Sequence, residues 1–131
     1  GVSAGFSDAP KTWLPIPPEH RELAVDQQTR NPGSMLNFYR NLLAWRKTHP
    51  ALLKGRLKLL PTDPQLLGYE RRLDDDALLC VFNFSGKKAR LPLPRGWTEG
   101  VIDEGSGLTG AEIRRGALVL GPWSGAVLVR A

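Results

Sequence analysis

Two hydrophobic periods divide this chain. Between residues 31 and 49 the apolar side chains Met35, Phe38, Tyr39, Leu42, Leu43 and Trp45 recur at the spacing of one helix face. Asn31 suits an N-cap, and Pro32 suits the first helical position, where a missing N–H would have no partner anyway. Arg46 and Lys47 fall in the last turn, where the helix dipole favours cations, and Pro50 ends the helix. With Leu36 added the stripe is wide, which predicts a helix pressed against a large partner rather than a small sheet edge. From residue 56 the period shortens to that of strands. Short runs at Leu57–Leu59, Gln65–Leu73, Ala77–Phe84, Ala89–Leu93, Val101–Ile102, Ala111–Ile113, Ala117–Leu120 and Ala126–Val129 alternate with Gly, Asp and Ser turns. That spacing predicts a mainly β fold, an antiparallel β-sandwich or barrel. Ala77–Phe84 is almost unbroken and reads as a central strand covered on both faces. Ala89–Leu93 carries Pro92 and reads as an edge strand.

Residues 1–30 fit neither period. Pro10, Pro15, Pro17 and Pro18 interrupt any helix, so the segment is expected to be irregular. Phe6, Trp13, Leu14 and Ile16 are too apolar for a free linker and predict a loop packed on a scaffold. The change of period near Pro50 marks a boundary between residues 1–49 and 50–131.

Composition narrows the class. The 131 residues are 41% hydrophobic and 24% charged, as in an ordinary folded domain. The longest apolar runs are a few residues, against the roughly 20 that a membrane helix needs. No charged start leads into an apolar stretch, so no secretory signal is expected. The single cysteine, Cys80, excludes an intrachain disulfide and fits a cytoplasmic location. A chain that starts at Gly1, with Met35 its only methionine, reads as a processed chain or an excised fragment. The net charge is +5, and the excess lies in residues 34–100, with twelve basic against six acidic groups. Lys87, Lys88, Arg90 and Arg95 come nearest to a phosphate-binding stripe. They read instead as a solvated hairpin edge guarded by lysine. Neither a nucleic-acid nor a membrane partner is expected.

Candidate chemistry is sparse. His20, His49 and Cys80 lack metal-ligand spacing, so no metal or cofactor is expected. Cys80 on an apolar strand reads as a small core residue, and His49 beside a helix end as a cap. No GxSxG elbow occurs, and Gly105-Ser106-Gly107 lacks the lysine and the context of a P-loop. Asp74, Asp75 and Asp76 fall in a hairpin turn, where all three should point into water, whereas acid catalysis by a carboxyl needs a raised pKa. Glu22 and Asp26 lie in the early loop, and sequence spacing alone suggests no catalytic pairing for them. Trp13, Trp45, Trp97 and Trp123 could suggest a sugar platform but are scattered, and Trp45 lies on the helix stripe as a core candidate. The residues themselves assign no catalytic, substrate-binding or metal site. They leave a freestanding carbohydrate-binding β-sandwich open as one reading.

Several stretches, in order, resemble the α-glucosidase branch of glycoside hydrolase family 13, the α-amylase family. Ala4-Gly5-Phe6-Ser7, Trp13-Leu14-Pro15-Ile16 and Val25-Asp26-Gln27-Gln28 are similar to one run of that family. The helix from Ser34 through Lys47 to His49-Pro50-Ala51-Leu52 resembles its last barrel helix and exit. Leu67-Gly68-Tyr69-Glu70-Arg71 and Leu78 to Ser85, ending Asn83-Phe84-Ser85, are similar to its first C-terminal strands. The likeness is good over residues 4–85 and fades to a strand pattern beyond. It implies a (β/α)8 barrel followed by an antiparallel β domain. Residues 1–30 would then be the loop after the eighth strand, and residues 31–49 the eighth helix. It also implies a retaining enzyme acting on α-glucosidic bonds of small oligosaccharides. The family's nucleophile, acid/base and stabilising carboxylate come from earlier strands whose motifs do not occur here. The chain alone is thus expected to be inactive, with the remainder of the barrel as its partner.

Overall fold

The computed structural model describes residues 2–130 and divides into two compact units, one up to residue 41 and one from residue 42.

In the first unit, 3₁₀ turns at Val2–Gly5 and Pro18–Arg21 lead to a short helix, α1 (Val25–Arg30). The prolines do break residues 1–22, but Leu23–Arg30 contains none, and a helix forms there that the proline count did not predict. The side chains of Phe6, Trp13 and Leu14 are 75%, 95% and 65% exposed. The first unit therefore does not supply the scaffold that their apolarity calls for.

The long helix, α2 (Met35–Lys47), starts later than its sequence suggests. Asn31 Oδ1 accepts from Gly33 N at 3.0 Å, which holds Pro32-Gly33 in a turn. Ser34 is the cap instead, its Oγ accepting from Asn37 N at 3.2 Å and donating to Gln28 O at 2.7 Å. The Asn37 amide donates to Gln28 O and Asn31 O, so α1 and the start of α2 are tied by one polar knot. Along α2, Met35, Tyr39 and Leu43 are each more than half exposed.

The second unit is an antiparallel β-sandwich, as the strand spacing predicts. A short helix α3 (Pro50–Lys54) precedes β1 (Arg56–Leu59), β2 (Leu66–Leu73), β3 (Asp76–Asn83), β4 (Ala89–Pro92), β5 (Gly100–Ile102), β6 (Ala111–Arg114), β7 (Ala117–Leu120) and β8 (Gly125–Arg130). One sheet has the order β1-β2-β3-β8-β5 and the other β4-β7-β6. The apolar strand β3 is central, and β4, with Pro92, lies at an edge. The two sheets enclose Leu79, Val81, Leu118, Leu120, Leu128 and Trp97. Residues one step out of phase, Leu78, Cys80 and Val127, face the other way and form a second cluster with Ala51 of α3. Both faces of β3 are buried, which is why its sequence does not alternate.

Candidate functional site

The second cluster marks the face of the five-stranded sheet that points away from the three-stranded one. Its cover is partial and is pinned by specific bonds. Asp76 Oδ2 accepts from Ala51 N at 2.7 Å and caps α3, so Asp76 is half-buried and does not point into water as its turn-like sequence suggests. Asp74 and Asp75 are exposed. Arg71 Nε donates to Ala51 O at 3.1 Å. Gly55 lets the chain turn tightly here, because a Cβ would meet Ala51 O and come within 2.8 Å of Arg72 O. At the end of α2 the Trp45 indole N–H donates to Asp103 Oδ2 at 2.9 Å. The His49 ring lies against that indole at 4.6 Å between centroids, with Nδ1 3.1 Å from Trp45 O and Nε2 3.4 Å from Asp103 Oδ2. His49 thus caps the last turn, as its position suggests.

Beyond this cover the face is open and apolar. Leu57 pairs with Arg71, Leu59 with Tyr69 and Leu67 with Phe82, which puts all three leucines on the Leu78–Cys80 side. Leu57, Leu59 and Phe84 are 54%, 63% and 61% exposed. Tyr69 and Phe82 stack at 6.2 Å beside them, and Phe84 follows at 6.5 Å from Phe82. A run of large apolar groups on one sheet face is the mark of a surface built to be covered.

Beneath Tyr69 lies Cys80, 1% exposed, a core residue as expected. Burial pushes its thiol up to about 11 and, with the neighbouring Cys80, pushes the Tyr69 hydroxyl up to about 12. The ordinary thiol value is 9.0, so at neutral pH the thiolate population falls by about 100-fold. Iodoacetamide is therefore expected to label Cys80 at least about 100-fold more slowly in the folded chain than in urea. Equal rates would show the thiol to be open.

The remaining candidates do not converge. Lys87, Lys88 and Arg90 are exposed on and beside the β4 edge. Trp97 is buried and Trp45 half-buried, each donating to a carboxylate, while Trp123 is 72% exposed. Among the described residues no three His, Cys, Asp or Glu side chains come together as metal ligands. Asp76, Asp103 and Glu70 hold the cover and the core through donors 25, 58 and 27 residues away, long-range bonds that the local sequence does not signal.

Known proteins give this arrangement a context. Residues 57–127 match the family described as maltogenic amylase, C-terminal domain, and residues 1–55 match the α-amylase catalytic domain. The chain belongs to the α-amylase family. Within that family it is 42% identical over 90 residues to a probable α-glucosidase of Rhizobium meliloti (strain 1021), covering 69% of this chain and 16% of that protein. It is 38% identical over 96 residues to probable oligo-1,6-glucosidase 2 of Bacillus subtilis (strain 168), covering 72% and 17%. The crystal structure of the α-glucosyl transfer enzyme XgtA superposes with a TM-score of 0.81 at 31% identity, over 91% of this chain and 22% of that one. The chain spans about a sixth of the length of these curated α-amylase-family relatives. No helix among the described residues is long and apolar enough to cross a membrane.

Proposed function

We propose that this chain is the non-catalytic C-terminal portion of a retaining α-glucosidase that cleaves α-glucosidic bonds of small oligosaccharides. Residues 1–49 complete the catalytic barrel, and residues 50–131 form a β domain that packs on it. The carrying observation is the open apolar face bearing Leu57, Leu59 and Phe84, next to a cover that leaves these side chains exposed. The exposed Met35, Tyr39 and Leu43 stripe of α2 supports the same reading, since burying a large aliphatic side chain is worth about 1.5–3 kcal/mol. The names of the relatives and the division of the family matches around residue 56 agree with it. A cytoplasmic location is part of the proposal and fits the single buried thiol.

The test compares two contexts. In this chain alone, Leu59→Glu with Phe84→Glu should leave the melting temperature within about 2 °C, since both groups are already open. In the intact enzyme the same pair should lower it by about 5 °C or more, because charges would be buried at the contact. An intact enzyme indifferent to both substitutions would refute the docking role. The isolated chain should hydrolyse no chromogenic α-glucoside and give no heat with maltose or isomaltose. Tight, saturable sugar binding by the chain alone would favour a freestanding carbohydrate-binding module.

A further inference from the structure

Folding regroups the basic side chains. Lys54 at the end of α3, Arg56 and Lys58 on β1, Arg72 on β2, Arg95 before Trp97 and Arg130 at the end of β8 line one open cleft of about 930 Å³. Two acidic groups share it. Glu70 is already engaged, accepting from Arg72 Nε at 2.9 Å and from the Trp97 indole at 2.8 Å, and Asp74 sits in the β2–β3 turn. The Arg130 guanidinium lies over the Trp97 ring, 5.2 Å from its centroid. Lys54, Arg56, Lys58 and Arg95 have no carboxylate partner among the described residues.

The register sharpens the anomaly. Arg56 stands directly opposite Arg72 across the β1–β2 pair, where like charges oppose strand pairing, whereas the next pair on that face sets Lys58 opposite Glu70. Arg56, Lys58, Glu70 and Arg72 project to the face opposite Leu57 and Leu59. The charged side chains of the cleft therefore lie on the other face from Leu59, and only Leu57 and Leu73 at its margin belong to the apolar side. A concave wall with a clear excess of one sign focuses the field and concentrates counter-ions.

We propose that this cleft binds a compact polyanion carrying two or more phosphoryl groups. The cations converge from five segments of the chain, a geometry that suits a short ligand better than an extended backbone, which calls for a stripe. Arginine forks donate paired N–H bonds to phosphate oxygens, and the lysines add point charges. A nucleoside polyphosphate and a sugar bisphosphate share this chemistry.

Titration calorimetry with tripolyphosphate tests it on the 131-residue chain. One saturable site is expected at physiological salt. Arg56→Gln with Lys58→Gln, both exposed and so not expected to harm folding, should weaken binding by about tenfold or more. Lys87→Gln with Lys88→Gln removes the same charge from elsewhere and should change it by less than about twofold. Displacement by a nucleoside triphosphate or by a hexose bisphosphate supports the assignment and names the source, and displacement by neither counts against it. Absence of saturation, or equal weakening by both pairs, overturns the cleft as a site. Tighter retention of duplex DNA that is lost in the Arg56/Lys58 variant overturns the compact ligand.

Discussion

Replacing Trp97 by alanine is expected to cost the β-sandwich about 3–5 kcal/mol. Trp97 is 1% exposed and the largest fully buried side chain, seated in the core between the two sheets. Three losses coincide in this variant. The cavity forfeits packing, the Glu70 carboxylate loses its indole donor at 2.8 Å, and Arg130 loses the ring beneath it. At about 4–8 °C per kcal/mol for a unit of this size, melting should fall by more than about 12 °C. Urea titration followed by circular dichroism measures it, and a midpoint shift worth less than about 1 kcal/mol would contradict the packing described. Trp97→Phe separates the parts. It keeps most of the packing and removes the indole donor, for an expected loss of about 1–2 kcal/mol.

That milder variant carries a pH signature. Burial opposes the charged form of Glu70, but the hydrogen bonds from Arg72 and Trp97 and the charges of Arg72 and Arg130 outweigh it. They hold the carboxyl below its ordinary 4.5. A depressed folded pKa gives stability that is present above 4.5 and lost as pH falls through the lower folded value. Trp97→Phe lessens the depression, so its deficit against the parent should shrink from pH 6 toward pH 3. A constant deficit would show that the indole bond does not act on Glu70.

The second large effect is expected from Asn83→Asp. Asn83 ends β3 of one sheet, and its amide donates at 2.7 Å to both Lys87 O and Gly121 O, which flank β4 and β7 of the other. Its Oδ1 accepts from Ser85 N at 3.0 Å and Ser85 Oγ at 2.8 Å. The side chain is 2% exposed and staples the two sheets. The aspartate is almost isosteric but turns both donors into a lone-pair oxygen facing two carbonyls. The expected loss is about 3 kcal/mol or more at pH 7, partly recovered in acid as the carboxyl regains a donor. Asn83→Ala should be milder at roughly 2–3 kcal/mol, because it leaves the carbonyls unpaired without placing a charge against them. An Asn83→Asp variant that unfolds with the parent's midpoint would show the staple to be dispensable. The same four bonds give each residue of the Asn83-Phe84-Ser85 ending a role in this chain: Asn83 joins the sheets, Ser85 completes its acceptor side, and Phe84 stays on the open face.

Local pattern was enough for the elements whose reasons are local. The central place of β3 follows from an apolar run that only double burial tolerates, and the edge place of β4 follows from Pro92. Cys80 was legible as core for the same reason. Helix starts were less so. Asn31 and Ser34 are both good caps, and only the turn held by Asn31 Oδ1 decides between them. The sequence by itself therefore determined the strand order along the chain and the family. Tertiary structure alone decided what the carboxylates and cations do. Asp76, Asp103 and Glu70 find donors many residues away, and Arg95 joins Arg56 and Arg130 rather than the nearby Lys87 and Lys88. Hydrophobic burial follows a short period that can be read along the chain. Hydrogen bonds and charges act over a few ångströms in space, and which groups come that close is set by how the sheets stack.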